Sequence, residues 1–177
     1  DALPIYKGKK PTPLKNAYLG PEYSAVDIEG VLIKNKNLIE YSKEVGIYKN
    51  VAQLIQEGNV VMWFQGRLEF GPRALGSRSI LAPVIDKNMI DKLNKLKHRE
   101  SFRPFAISIL EEEMQKWLVK GGKSPYMLVV DHIKSELKDK VPAAQHVDGS
   151  VRVQSVNESD NGIYYSLLKE YFAISGV

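Results

Sequence analysis

Residues 60–80 read VVMWFQGRLEFGPRALGSRSI, an apolar run followed by a segment with three glycines and three arginines. The run Val60–Phe64 predicts a buried strand. The glycines let the backbone turn and let a ligand approach peptide N–H groups, which predicts a loop. Arg67, Arg73 and Arg78 follow neither a helical nor a strand period, so they share no face of a regular element. Because guanidinium groups bind phosphate or carboxylate through two parallel hydrogen bonds, this loop predicts an anion site.

The alternative for this loop is a surface segment whose arginines form ordinary salt bridges, which contribute little when exposed. A second basic cluster downstream argues against that alternative. Lys97, Arg99 and Arg103 lie beside the end of a predicted helix. The helix dipole favours one or two cations there but does not require three. On the residues alone, an anion site and a dipole effect weigh equally for this second cluster.

Four polar residues are weaker candidates for a site. Ser79 and Ser108 can donate to phosphate oxygens, although serine more often hydrogen-bonds to local backbone. His146 and Asp148 can orient a ligand or transfer a proton, but a turn ending in Asp148-Gly149 needs no functional explanation. The sequence has no Gly-Lys-Ser/Thr or Gly-x-Gly-x-x-Gly pattern and no metal-ligand spacing of its histidines. It therefore predicts neither a P-loop nor a protein-bound metal.

The composition is that of a globular domain. With 177 residues, 44% of them hydrophobic and 26% charged, the chain can bury a core of its own. The net charge of +4 permits an anionic ligand without requiring nucleic acid. Cysteine is absent, which excludes disulfides and a thiol nucleophile and is compatible with a reducing cytoplasm. Neither a signal peptide nor a membrane-length apolar run is recognisable, so we expect a cytoplasmic protein without a membrane partner.

Hydrophobic periodicity and punctuation by Gly and Pro divide the chain into elements. Residues 1–21 hold four prolines and several lysines, which predicts an extended arm or linker before a single domain at 22–177. We expect a strand at 126–130 inside a sheet and a half-exposed strand at 151–156. The other predicted strands are 60–64, 80–85 and 105–110, and the predicted helices are 24–35, 51–58, 86–96 (with Met89, Ile90, Leu93 and Leu96 facing the core), 111–118 and 162–174. This mixture predicts an α/β or α+β fold.

Taken together, the motifs closely resemble the C-terminal domain of carbamoyltransferases of the NodU/CmcH type. The loop motif and the second cluster, which continues into the Pro104-Phe105-Ala106 segment, carry most of the resemblance. Further matching stretches are Tyr18-Leu19-Gly20-Pro21, Ser124-Pro125-Tyr126-Met127 and the segment 146–154. The resemblance therefore covers nearly the whole chain.

The resemblance implies a fold similar to YrdC/Sua5, with a twisted mixed β-sheet and flanking helices. It also implies an O-carbamoyltransferase that uses ATP, with Mg²⁺ bound to the nucleotide, to convert carbamoyl phosphate to a carbamoyl-adenylate. A separate N-terminal domain of the actin-like ATPase superfamily, which holds an iron, would then transfer the carbamoyl group to a substrate hydroxyl. That domain is expected as a partner within the same parent chain, and a homodimer is left open.

The family's functional positions are carried over by matching motifs. Glu69 is expected to hold one of the arginines by a salt bridge. The catalytic candidates are Arg73, Arg99 and Arg103, and the substrate- or nucleotide-binding candidates are Arg67, Arg78, Ser79, Lys97, Ser108, His146, Asp148 and Arg152.

Two departures from the family pattern affect these expectations. The family usually continues past Gly176-Val177 into a further strand and commonly has proline where Ile107 stands. We therefore expect this chain to be truncated at its C-terminal end and not to complete the transfer alone.

Two rival functions stay open at this stage. A YrdC-like RNA-binding module would suit the sequence pI of about 9.1, but the sequence lacks interleaved exposed aromatics for base stacking. The other rival is a docking domain that binds nucleotide without catalysis. The acceptor substrate is not encoded in any motif of this chain.

Overall fold

The computed structural model describes residues 7–8 and 14–177. The prediction of an extended arm rests on four prolines, of which Pro4, Pro11 and Pro13 lie outside the described residues. The described elements are α1 (Ala25–Lys34), α2 (Ile47–Gln56), β1 (Val61–Phe64), β2 (Arg78–Leu81), α3 (Met89–Leu96), β3 (Ala106–Leu110), α4 (Met114–Trp117), β4 (Val129–His132), β5 (Ser150–Val156) and α5 (Glu158–Ser175), with 3₁₀ turns at Glu111–Glu113, Ser135–Lys140 and Pro142–Ala144.

The five strands of the described chain form two small sheets. Strands β1 and β2 pair antiparallel, with Val61 opposite Leu81 and Phe64 opposite Arg78. Strand β5 is the centre of the second sheet, parallel to β3 and antiparallel to β4. The predicted α+β class is confirmed, although the expected sheet is divided in two.

Strand positions in the second sheet differ from the expectation. Strand β5 is buried along almost its whole length because it is paired on both sides, so the predicted half-exposed strand is wrong. Strand β4 is an edge strand that begins at Val129, and Val129 and Val130 are exposed. Its β-branched composition indicates strand propensity but carries no information about its place in a sheet.

Two other elements shift for local reasons. Strand β2 is 78–81 instead of 80–85, ending before Pro83, whose missing N–H does not suit a ladder. Helix α5 begins at Glu158, four residues earlier than predicted, because the Asn157 side chain caps it by accepting from the N–H of Asp160. The helical backbone is interrupted at Asn161.

Helix α3 directs a polar side chain into the core. Its buried residues are Met89, Leu93 and Asn94, whereas Leu96 is exposed. The expectation that Leu96 faces the core is therefore wrong. The Asn94 amide is accommodated instead because it hydrogen-bonds to carbonyl groups of the segment that follows the helix.

Two apolar clusters support the two sheets. One, built around Ile107, Trp117 and Val153, packs against one face of the three-stranded sheet. The other joins α2 and α5 to the β1–β2 pair through residues such as Ala52 and Leu167. Helix α1 buries none of its residues. Among the described helices, none is long and apolar enough to cross a membrane.

Gly76 generates a stability prediction. Its φ is +101°, and an added Cβ would overlap the ring of buried Tyr164. Gly71 also has a positive φ, +133°, but open space around it. Gly71→Ala should cost about 1–3 kcal/mol through backbone strain. Gly76→Ala should cost about 2 kcal/mol more, because the ring must move as well. Denaturant unfolding of both variants measures this difference, and equal losses would show that the contact with Tyr164 is not tight.

Candidate functional site

The carboxylate of Glu69 fixes the loop between β1 and β2. Its Oε1 accepts hydrogen bonds from the backbone N–H groups of Leu75 (2.7 Å), Ser77 (2.7 Å) and Arg78 (3.2 Å). Glu69 is buried, and the salt bridge expected between it and an arginine does not form among the described residues. That expectation is wrong: Oε1 of this carboxylate is occupied by three backbone N–H groups instead of a guanidinium.

Arg78 closes the loop from the other side. Its guanidinium donates to the carbonyls of Gln65 (2.6 Å), Gly66 (3.1 Å) and Ser77 (2.9 Å). It also stacks on Phe64, with Cζ 3.5 Å from the ring centroid. With its donors engaged by backbone, Arg78 holds the loop in shape and lies outside the cavity described below.

Arg67 connects the loop to the segment that precedes α1. Its Nη2 donates to the carbonyl of Leu19 (3.2 Å). The same segment pairs with the loop through backbone hydrogen bonds between Gly20 and Leu68, between Leu68 and Pro21, and between Phe70 and Ala17. Arg67 is exposed and does not line the cavity.

A cavity of about 540 Å³ opens between the loop, the α3–β3 connection, the second sheet and α5. This volume suits a small-molecule ligand. Apolar walls include Ile80, Leu168 and Phe172. Seven of the eleven predicted site residues line it: Arg73, Ser79, Lys97, Arg99, Arg103, Ser108 and Arg152.

The floor of the cavity is a hydrogen-bonded polar layer. Strand register places Ser108 opposite Gln154. The Ser108 hydroxyl donates to Gln154 Oε1 (3.0 Å) and accepts from the Tyr164 hydroxyl (2.9 Å). Gln154 Nε2 in turn donates to the carbonyl of Leu75 (2.9 Å). Burial raises the pKa of Tyr164 to about 12, so this phenol stays neutral. Ser108 is therefore engaged by protein groups, whereas Ser79 only accepts from the N–H of Gly76 (3.0 Å) and keeps its O–H.

Three guanidinium groups approach one another above this floor. Burial and then the positive charges of Arg73 and Arg99 lower the pKa of Arg152. Its Nε is buried without a hydrogen-bond partner in the described structure. None of the salt bridges between described residues involves Arg73, Arg99 or Arg152. Glu113 also lines the cavity but is paired with Lys116 at 3.1 Å, and Glu100 partly favours the charge of Arg99. The arginines that line the cavity still outnumber these carboxylates, which gives the excess positive charge that an anion-binding pocket requires.

The segment after α3 brings its cations to the same cavity. Arg99 donates from Nε to Asn94 Oδ1 (2.5 Å), and its Cζ lies 3.9 Å from the centroid of the Phe105 ring. Burial, followed by repulsion from Arg103, lowers the pKa of Arg99. Arg103 forms an exposed pair with Glu100 at 3.6 Å. Lys97 and Arg103 are exposed at the cavity's rim.

His146 and Asp148 lie outside the cavity, in the turn before β5. Asp148 Oδ1 accepts from the Ser150 N–H (2.9 Å) and hydroxyl (2.6 Å). These hydrogen bonds lower the pKa of Asp148. His146 Nδ1 lies 2.9 Å from the same hydroxyl. Both residues shape the turn that leads into the central strand.

Sequence reasoning missed three residues that organise the site, namely Asn94, Gln154 and Tyr164. Asn94 carries a usable signal, because an asparagine on the apolar face of a helix requires hydrogen-bond partners when buried. Gln154 has a similar signal within a strand that is otherwise rich in valine. Tyr164 resembles an ordinary core aromatic, and only its contact with Ser108 reveals its place in the floor.

Comparison with known proteins gives the family. Residues 52–177 match the sequence model described as carbamoyltransferase C-terminus. The chain belongs to this family. The match covers well over half of the chain and includes both basic clusters and the whole cavity lining.

Several relatives are similar over most of this chain. Nodulation protein U of Azorhizobium caulinodans is 41% identical over 127 residues, which is 72% of this chain and 23% of that protein. Nodulation protein NolNO of Sinorhizobium fredii is 35% identical over 169 residues, 93% of this chain and 25% of that protein. An uncharacterized protein of Methanocaldococcus jannaschii is 42% identical over 167 residues, which is 92% of this chain and 27% of that protein. The chain thus spans about a quarter of the length of these curated relatives.

Because neighbouring cations repel Arg152, removing its charge should preserve or raise the stability of the chain while it weakens ligand binding. Arg152→Met keeps the aliphatic length of the side chain while removing a partly buried cation that faces two others. Without ligand, this variant should be as stable as the wild type or more stable by about 0.5–1 kcal/mol. Denaturant unfolding at low salt measures the change, with Arg67→Met as the control outside the cavity. A loss above about 1 kcal/mol for Arg152→Met would contradict the repulsion.

Proposed function

We propose that the cavity binds carbamoyl phosphate and ATP and forms a carbamoyl-adenylate, which the remainder of the enzyme transfers to a substrate hydroxyl. The observation that carries this proposal is the convergence of Arg73, Arg99 and Arg152 without a carboxylate partner among the described residues. Membership of the carbamoyltransferase family supports the choice of the carbamoyl group.

The proposed reaction matches the charges in the cavity. The carbamoyl group leaves the phosphate of carbamoyl phosphate as carbamate and joins the α-phosphate of ATP. The balanced reaction consumes one water molecule and releases inorganic phosphate and pyrophosphate. Phosphoryl groups crowd together in this step, and fixed guanidinium groups stabilise the negative charge of its transition state. The apolar walls formed by residues such as Ile80 and Phe172 give the adenine a non-polar surface.

The two metal ions of the proposed reaction are assigned to the nucleotide and to another domain. Among the described residues, no cluster of three or more His, Asp or Glu side chains could hold an ion. We assign Mg²⁺ to the ATP, where phosphate oxygens supply most of its coordination. The iron and the acceptor hydroxyl belong to the N-terminal domain of the parent enzyme. A cytoplasmic location fits the use of ATP and the cysteine-free sequence.

Ligand binding tests the position of the site. Arg73→Ala and Arg152→Met should each lower the affinity for carbamoyl phosphate or Mg²⁺–ATP by about 10-fold or more, because each removes charge-assisted hydrogen bonds to phosphate. Arg67→Ala should leave both affinities unchanged, since Arg67 does not line the cavity. Isothermal titration calorimetry at two salt concentrations measures these values.

Two results would contradict this site. Unchanged affinity in both cavity variants would place the pocket elsewhere. Tight binding of an RNA oligonucleotide, falling steeply with salt while ATP does not bind, would favour the nucleic-acid function.

Separating the half-reactions tests the chemistry. Incubated with Mg²⁺–ATP and carbamoyl phosphate, the 177-residue chain should release pyrophosphate. It should form no carbamate ester with added alcohols, because transfer needs a second site that brings the acceptor oxygen to the activated carbonyl. A coupled pyrophosphate assay and mass spectrometry measure the two products. An ester made by this chain alone would contradict the division between sites, and nucleotide binding without pyrophosphate would favour a docking function.

A further inference from the structure

Asn94 is a buried polar residue that does not line the cavity. Its side chain is only 2% exposed and lies on the face of α3 that carries Met89 and Leu93. Burying an amide is unfavourable unless its hydrogen bonds are satisfied. The contacts of Asn94 therefore indicate what its burial achieves.

The Asn94 amide joins α3 to three points of the next segment. Nδ2 donates to the carbonyls of Ser101 (3.0 Å) and Arg103 (3.3 Å). Oδ1 accepts from Nε of Arg99 at 2.5 Å. The amide thus satisfies both its donors and holds a guanidinium as well. No apolar side chain of the same size could replace these contacts.

Arg99 is restrained on several sides by this arrangement. Phe105 supports one face of its guanidinium, and Nη2 lies 3.4 Å from the carbonyls of Arg103 and Pro104. Arg99 lines the cavity, and its Nη1 has no hydrogen-bond partner among the described residues. Nη1 is therefore the nitrogen that remains available to an anion. The hydrogen bond from Nε to Asn94 fixes the orientation of the guanidinium, and with it that of Nη1.

Arg99 needs such a restraint because its neighbours repel it. Arg103 and Arg152 carry positive charges that act on Arg99, and Glu100 offsets part of their effect. A flexible arginine in this field would relax toward solvent when no ligand is bound. Holding it in place before binding removes that reorganisation from the free energy of binding.

We propose that Asn94 is a positioning residue that holds the Arg99 guanidinium toward the cavity against its cationic neighbours, so that anion affinity depends on a side chain that does not touch the anion. This inference rests on the proposed function, because it concerns the same cavity. It adds a residue that the sequence motifs do not single out.

A double-mutant cycle tests the proposal, with inorganic pyrophosphate as the probe and the 177-residue chain as the protein. Asn94→Leu keeps the side-chain size and removes all three hydrogen bonds. It should lower pyrophosphate affinity about tenfold in the wild-type background. In the Arg99→Ala background it should have little further effect, because the group it positions is gone.

Two additional measurements separate positioning from a general loss of structure. The Nε–H resonance of Arg99 in ¹⁵N NMR spectra should be protected from exchange in the wild type and lost in Asn94→Leu, without any ligand. Met89→Ala, on the same buried face of α3, should reduce stability but leave both the resonance and the affinity unchanged at temperatures where it is folded. If Asn94→Leu does not fold, Asn94→Ala carries the same cycle, since its smaller side chain leaves room for water at the freed carbonyls.

The outcomes are distinguishable. Unchanged affinity in the folded Asn94 variant, or an equal loss with and without Arg99, would overturn the positioning role while leaving the proposed function in place. Failure of the wild-type chain to bind pyrophosphate would overturn the proposed function, and this inference with it.

Discussion

The backbone of Leu75 is the point at which the loop, the preceding segment and the central strand are joined. Its N–H donates to Glu69, which is buried within the loop. Its carbonyl accepts from the Tyr18 hydroxyl and from Gln154 Nε2, each at 2.9 Å. Because buried backbone groups must be paired, the N–H and carbonyl of this one residue fix the loop relative to β5. The side chains that line the cavity on both sides depend on that relation.

The same backbone contacts help to explain why the cations can be held close together. Arg73 comes from the fixed loop, Arg152 from the central strand, and Arg99 from the segment after α3. Each is attached to an element whose backbone is held by neutral or acidic hydrogen-bonding groups, and the Arg99 side chain is held in addition by Asn94. Repulsion between these cations therefore cannot move the elements that carry them without breaking those bonds. Such repulsion is characteristic of binding sites. It makes the arrangement unfavourable without ligand, and a bound anion relieves it.

The sequence predicted much of the fold, and the reasons for its failures are specific. The helix at Ala25–Lys34, the helix before Gly58 and the strands near Phe64 and Leu110 follow from periodicity, caps and breakers, which act within a few residues. The misplaced edge strand at Val129 and the exposure of Leu96 are of a different kind. Both depend on which neighbour covers a surface, and no local pattern records that.

The amino-acid sequence by itself determined the family, the α+β class and the presence of two arginine-rich segments, because these properties are carried by residue identity and short-range order. Only the tertiary structure decided that Arg73 and Arg99 share a cavity with Arg152, whereas Arg67 and Arg78, in the same motif, hydrogen-bond to backbone carbonyls. The physical reason is that a guanidinium binds whichever acceptors its backbone brings within reach. In this loop the backbone path is set by the Glu69 carboxylate and by strands distant in sequence.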